Sequence, residues 1–322
     1  MKSARATPIA FSGAASVAAA ALGSAPMKRV RAVLAFGGLW LLAAALGAAD
    51  SADSVAPGKT YVYKHSAGMP HELEIYFPRN HDPANRRAPG LLLFHGGGWS
   101  RGSPEQFRLA CTYFASRGLV AATANYRMHR KEDVPGLPPG ESYKRVCVTD
   151  AKSAIRWMKQ HAAELGLDPR RLIVGGGSAG GHIAVLATIN PGLDDPADSK
   201  AFDTSVAAYV LFNHAFAPKD TDREVNVMAH LDPGFAPAIV FFGSEDRWRP
   251  GWDAAQQKLK SMGNTTAKVW IAQGHIHGFY LEQPWHDLTL AAADRFLVRQ
   301  GFLSGEPTLV LPAVGAKLVQ AP

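Results

Sequence analysis

The stretch "RLIVGGGSAGGHIAVLATI" (residues 171–189) decides the fold. It begins with residues typical of a β-strand and ends with an apolar segment typical of a buried helix. Between them, Gly176, Ser178 and Gly180 match the pattern G-x-S-x-G, in which a serine is held on a sharp turn from strand to helix. The glycines alone are also compatible with a flexible linker, but a linker does not account for the strand and the helix on either side.

Short apolar and β-branched segments on both sides of this stretch alternate with helical segments. Parallel strands need long crossover connections, which helices provide, so the alternation predicts an α/β fold with helices on both faces of a mostly parallel sheet. The first two segments lie close together and predict an antiparallel hairpin. About eight strands are expected, at residues 60–65, 72–77, 91–94, 119–126, 171–177, 206–212, 238–243 and 267–272.

Composition divides the chain into three parts. Residues 1–49 form a leader, residues 50–300 form a single α/β domain, and residues 301–322 form a tail, interrupted by proline and glycine, that we expect to be peripheral or disordered. The first predicted strand begins soon after the leader, which leaves no room there for the helices of a large cap domain. We therefore expect an open site.

The leader accounts for most of the positive charge. The formal net charge is +7, but five of the 34 basic residues and none of the 27 acidic residues precede Asp50, which leaves about +2 for the rest. A nucleic-acid partner is therefore not expected. From Met27, the favoured true start, a basic stretch, an apolar run and small residues before Asp50 match a secretory signal, which predicts export without stable membrane insertion. An uncleaved membrane anchor is the alternative, although the apolar run is shorter than the roughly 20 residues of a spanning helix.

A serine becomes a strong nucleophile when a histidine base and an acid support it, and both follow Ser178 in the order acid, then histidine. Glu245 and Asp246 come just after one predicted strand, and His275 and His277 come just after the next. We favour Asp246 because it lies further along its loop. We favour His277 because the glycine after it permits a tight turn. Glu245 and His275 are the alternatives.

The stretch "HGGGW" (residues 95–99) follows a predicted buried strand and supplies backbone N–H groups that no side chain obstructs. Such donors stabilise the oxyanion of an acyl-transfer intermediate. We expect Gly96, Gly97 and Ala179 to be these donors, with Gly98 as a further candidate. A phosphate-binding loop is disfavoured because G-x-x-x-x-G-K-[ST] is missing. The sequence implies neither a cofactor nor a metal ion.

Four motifs in this order, "HGGGW", "GGSAGG", "GSEDRW" and "HIHGF", resemble the α/β-hydrolases of the HGGG esterase and lipase group, which is related to hormone-sensitive-lipase-like enzymes. The resemblance covers roughly residues 61–300 and implies carboxylic ester hydrolysis through an acyl-enzyme. Gly177 stands where the lipase-like branch commonly has an acidic residue. The chain is therefore more similar to exported bacterial acetyl- and feruloyl-esterase-like proteins, which implies short acyl groups on a small molecule or a polysaccharide. A serine peptidase or a long-chain lipase of the same fold is the alternative.

Three expectations concern the surroundings of this site. Trp99 and Trp248 are candidates to line the substrate cleft, with packing as the alternative role. The irregular excursion at residues 213–237 leaves the end of a strand, so we expect it to lie over the site. Cys111 and Cys147 either pair in an oxidising compartment or remain buried thiols.

Overall fold

The computed structural model describes residues 58–66, 68–85, 87–128, 141–217, 220–311 and 315–321. The predicted leader at residues 1–49 lies outside these ranges. Within them, nine strands form one sheet. The strands are β1 (Lys59–Ser66), β2 (Met69–Tyr76), β3 (Ala88–Phe94), β4 (Val120–Ala124), β5 (Leu167–Gly177), β6 (Ala208–Phe212), β7 (Ala238–Gly243), β8 (Lys268–Ala272) and β9 (Leu318–Gln320).

The sheet order is β1-β2-β4-β3-β5-β6-β7-β8-β9. All pairings from β4 to β8 are parallel, whereas β1 with β2, β2 with β4, and β8 with β9 are antiparallel. The connections run through α1 (Arg108–Ser116), α2 (Lys144–Gln160), α3 (Ala162–Leu165), α4 (Ala179–Ile189), α5 (Arg249–Ser261) and α6 (Trp285–Arg299). The mostly parallel α/β fold is confirmed.

Alternation of side chains along the central strands builds two cores. In β3, Leu92 and Phe94 join the cluster that α2, α4 and α5 cover, whereas Leu91 and Leu93 join the cluster that α1 and α6 cover. A strand buried on both faces carries a continuous apolar run, which explains the "LLLF" segment. Helices therefore cover both faces of the sheet, as predicted.

The tail differs from the expectation in part. Residues Leu318–Gln320 form β9, which pairs antiparallel with β8 and raises the strand number to nine. This part of the tail is peripheral, but it is an ordered strand. It covers the edge that β8 would otherwise expose, and exposed edges favour pairing with other chains.

The two cysteines do not pair. Cys111 and Cys147 are free and buried, and they belong to the apolar clusters on opposite faces of the sheet. The disulfide alternative is therefore wrong in this structure. Burial raises the pKa of both thiols. In the described ranges, no helix combines the length and apolarity needed to span a bilayer.

Candidate active site

Ser178 lies on the turn between β5 and α4. Its backbone has φ 50° and ψ −118°, a conformation that residues other than glycine rarely adopt and that occurs at functional sites. The strand β3 packs directly against this turn: a Cβ atom on Gly180 would lie 1.9 Å from the Phe94 carbonyl oxygen. Only glycine permits that approach, which places the Ser178 hydroxyl above the carboxyl end of the sheet.

His277 lies between Ser178 and Asp246. Its Nε2 atom is 2.8 Å from Ser178 Oγ, and its Nδ1 atom is 2.8 Å from Asp246 Oδ2. An ionised carboxylate only accepts hydrogen bonds, so Nδ1–H donates to Asp246 and Nε2 is left to accept from the Ser178 hydroxyl. The Asp246 side chain is buried, and its second oxygen accepts the Trp248 backbone N–H at 2.9 Å. Both hydrogen bonds fix the orientation of the carboxylate.

Glu245 and His275, the alternatives in each pair, occupy other positions. Glu245 is exposed, and its backbone N–H donates to the His275 carbonyl oxygen at 3.0 Å. The His275 ring packs edge-on against Trp285, with the ring centroids 4.5 Å apart. The structure brings Asp246 and His277 to Ser178 and leaves the neighbouring pair in loop packing.

The glycine loop after β3 requires one correction. The Gly96 N–H donates to Gln106 Oε1 at 2.6 Å, so the expectation that Gly96 is a free oxyanion donor is wrong in this structure. Within the described residues, the N–H groups of Gly97 and Gly98 have no acceptor. Ala179 is the first residue of α4, where an N–H has no partner inside the helix. The available donors are therefore Gly97, Gly98 and Ala179.

A cleft of about 440 Å³ opens above these groups. Trp99 and Trp248 both line it, and their rings meet edge-on with centroids 6.2 Å apart. Trp99 also packs: it is 6% exposed, and its Nε1–H donates to His182 Nδ1 at 3.3 Å. Trp99 therefore both lines the cleft and packs in the hydrophobic core. Among the described residues, no group of three or more His, Cys, Asp or Glu side chains could hold a metal ion.

Several residues of the cleft were not predicted from the sequence. Gln106, Asn213, Arg101 and Arg247 line it together with the predicted residues. Asn213 could have been predicted from its position directly after β6, because ligand-binding groups collect at the carboxyl ends of parallel strands. No sequence pattern marks the other three.

The excursion at residues 213–237 does not cover the site as expected. Among its described residues, Asn213 alone lines the cleft. Further along it, Val225, Val227 and Phe235 are buried in the cluster on the α4 face. Their apolar side chains draw this segment onto the helical layer and away from the mouth of the cleft.

Comparison with known proteins identifies related esterases. Residues 73–232 match the BD-FAE family model. A solved esterase of Thermogutta terrifontis with bound propionate is 34% identical, with a TM-score of 0.71, and the match covers 79% of this chain and 98% of that esterase. The chain belongs to the α/β-hydrolase esterases.

Curated relatives of this α/β-hydrolase match over shorter regions. LipM of Mycobacterium tuberculosis, a probable carboxylic ester hydrolase, is 33% identical over 129 residues, which are 39% of this chain and 27% of LipM. Arylacetamide deacetylase of Bos taurus is 33% identical over 129 residues, 38% of this chain and 29% of the deacetylase. The chain thus spans less than a third of the length of these two relatives. The resemblance to hormone-sensitive-lipase-like enzymes is confirmed.

In this α/β-hydrolase, Gly177 stands where the lipase-like branch commonly has an acidic residue, and the structure gives a steric reason for the glycine. A Cβ atom at Gly177 would lie 1.8 Å from the Tyr280 hydroxyl oxygen. Tyr280 is buried and stacks on Phe212, with the ring centroids 4.9 Å apart. The space beside the nucleophile is therefore already filled, so the acidic side chain common in the lipase-like branch does not fit.

Proposed function

We propose that this α/β-hydrolase cleaves carboxylic esters of short acyl groups through a covalent acyl-enzyme on Ser178. The observation that carries the proposal is the position of His277, 2.8 Å from the Ser178 hydroxyl on one side and 2.8 Å from Asp246 on the other. A serine supported in this way is the standard nucleophile of acyl transfer.

In the acylation step, Ser178 Oγ attacks the ester carbonyl carbon while His277 Nε2 takes the hydroxyl proton. Asp246 holds the tautomer that leaves Nε2 free and then stabilises the imidazolium. The imidazolium gives its proton to the leaving alcohol. Water, activated by the same histidine, then attacks the acyl-enzyme and releases the acid.

The negative charge that develops on the carbonyl oxygen needs donors that are already in place. Gly97, Gly98 and Ala179 are our proposed donors, because the Gly96 N–H is bound to Gln106. Ala179 also begins α4, so its N–H lies at the positive end of the helix dipole. Each lost oxyanion donor typically lowers the rate by about 10²–10³-fold.

The size and access of the cleft favour short acyl groups. A volume of about 440 Å³ must hold both the acyl group and part of the alcohol. The His277 side chain is 28% exposed, so bulky alcohols can approach it from solvent. We propose acetyl or feruloyl esters of small molecules or polysaccharides as substrates.

The decisive test replaces the nucleophile. Ser178→Ala should abolish hydrolysis of p-nitrophenyl acetate, while Ser261→Ala, an exposed serine of α5 outside the cleft, should retain wild-type activity. Paraoxon should label the wild type at Ser178, as a solved Thermogutta terrifontis esterase phosphorylated by paraoxon suggests. Substantial activity in Ser178→Ala with the fold intact would refute the mechanism.

A substrate panel tests the finer proposal. We expect kcat/KM to fall from p-nitrophenyl acetate to p-nitrophenyl palmitate, with activity on acetylated xylan or methyl ferulate. A maximum at palmitate would indicate a long-chain lipase, and turnover of peptides above esters would indicate a peptidase.

We further propose that the protein is exported and that the signal is cleaved before Asp50. The basic and apolar pattern after Met27 supports this proposal. N-terminal sequencing of the exported protein should begin at Asp50, and an intact Met27 would instead favour the membrane-anchored alternative.

A further inference from the structure

Asn213 is an unusual residue in the wall of the cleft. It follows β6 directly, lines the cleft together with Ser178 and His277, and is fully buried. Its φ of 29° lies in the left-handed region, which asparagine tolerates better than most residues and glycine tolerates best. The backbone conformation alone therefore does not require a carboxamide at this position.

Neither polar atom of this carboxamide has a hydrogen-bond partner among the described residues. Most buried polar groups in proteins are paired, so an unpaired carboxamide calls for an explanation. The residue that carries these two buried, unpaired atoms also lines the substrate cleft.

The backbone around Asn213 is fixed. Its own N–H donates to the Phe241 carbonyl oxygen at 2.7 Å, the Ser178 N–H donates to Phe212 at 2.9 Å, and the Ala215 N–H donates to Ser178 at 2.9 Å. These hydrogen bonds tie the segment to the nucleophile turn from both sides. The backbone of Asn213 is thus held next to the nucleophile turn.

Asn213 also lies opposite the proposed oxyanion donors. In the sheet order, β3 and β6 lie on the two sides of β5, so Gly97 and Asn213 approach Ser178 from opposite directions. An ester whose carbonyl oxygen points toward Gly97 presents another part of its structure toward Asn213.

We propose that Asn213 determines specificity by hydrogen-bonding a hydroxyl group that the substrate carries close to its ester bond, on the acyl or the alcohol side. The inference rests on the proposed function and names its substrate class: hydroxylated esters in preference to apolar esters of the same shape. Because the carboxamide is already buried and unpaired, a substrate hydroxyl that reaches it gains a hydrogen bond without displacing a protein partner, whereas an apolar substrate gains none.

The experiment uses two ester pairs in which a hydroxyl replaces a methyl group. Methyl lactate against methyl isobutyrate tests the acyl side, and 2-hydroxyethyl acetate against propyl acetate tests the alcohol side. Acid release is followed by titration at constant pH. Because a hydroxyl also changes intrinsic reactivity, the quantity compared between wild type and variants is the ratio of kcat/KM within each pair.

In Asn213→Gly, which accepts the backbone conformation and removes the carboxamide, we expect the ratio of one pair to fall about tenfold or more. Hydrolysis of the apolar member should stay within a few-fold of wild type. Leu281→Ala, which changes an apolar residue of the same cleft, should leave both ratios unchanged. If Asn213→Gly does not fold, Asn213→Asp serves instead, and its ratio should shift by a similar factor in either direction.

Equal losses on both members of each pair would assign Asn213 a merely structural role and overturn the proposal. Unchanged ratios in a folded variant would overturn it too, since the carboxamide would then form no hydrogen bond with the substrate hydroxyl. If the wild type hydrolyses none of these esters or p-nitrophenyl acetate, the proposed function falls together with this inference. Hydrolysis that requires Ser178 but ignores Asn213 overturns this inference alone.

Discussion

Replacement of Gly177 by alanine should cost this α/β-hydrolase both stability and activity. The new Cβ atom would lie 1.8 Å from the Tyr280 hydroxyl oxygen and 2.8 Å from its Cζ atom, whereas unstrained contacts lie at roughly 3.5 Å. One side must therefore move by on the order of 1.5 Å. Tyr280 has little room to retreat, because its ring stacks on Phe212 at 4.9 Å and on Phe107 at 6.3 Å.

Overpacking of this kind typically destabilises a protein by about 1–3 kcal/mol. For a domain of this size, a loss near ~2 kcal/mol lowers Tm by roughly 4–8 °C. Ser178 is the next residue, and a displacement of about 1 Å at a reacting group can cost about 10²-fold in rate. Thermal unfolding and kcat for p-nitrophenyl acetate, measured on wild type and Gly177→Ala, check both numbers.

Tyr280→Phe provides the matched control because it removes the closest oxygen and keeps the ring. In the double variant Gly177→Ala/Tyr280→Phe, the contact at 2.8 Å with Cζ remains, so rescue should be partial. We expect a coupling free energy of about 0.5–1 kcal/mol between the two sites. A Gly177→Ala protein as stable and active as wild type, or strictly additive effects in the double variant, would refute the steric explanation.

Two further predictions concern the hydrogen bond between Gln106 and Gly96 and the protonation of the buried His182. Gln106→Leu removes the acceptor of the Gly96 N–H, so the loop that carries the proposed oxyanion donors loses a hydrogen bond that holds it in place. We expect kcat to fall by about tenfold or more with little change in KM. Steady-state kinetics measure both constants, and a change confined to KM would contradict the prediction. Burial, helped by the charge of Lys144, lowers the pKa of His182 to about 3, against 6.5 for an unperturbed histidine. Between these values the unfolded chain binds a proton that the folded chain does not, so the free energy of unfolding should fall by up to about 1.4 kcal/mol per pH unit as the pH drops below 6.5. Urea unfolding at pH 7 and pH 5 tests this contribution, and an equally steep pH dependence in His182→Gln would disprove it.

The fold was accessible from the sequence because its determinants are local. Strands buried on both faces produce uninterrupted apolar runs such as residues 91–94, and the glycines around Ser178 mark a turn against which β3 packs. The last strand escaped prediction because Leu318–Gln320 is too short to show a period and depends on the β8 edge for its conformation.

The site was accessible only where motifs follow strand ends. Ser178, Asp246 and His277 follow β5, β7 and β8, so chain order and strand prediction bring them together. The role of Gly96 was misjudged because its N–H is occupied by a side chain that comes ten residues later, from Gln106. Contacts of this kind depend on how a loop folds back on itself, which the hydrophobic pattern of the sequence does not indicate.

The proposed catalytic groups follow three separate strands, and 99 positions separate Ser178 from His277 along the chain. A fragment that lacks β5, β7 or β8 lacks part of the site, since alignment at 2.8 Å depends on all three strands being paired in the sheet. Ester turnover is consequently a readout of complete assembly: during refolding, colour from a chromogenic ester should appear only after the central strands have joined, later than helical circular dichroism.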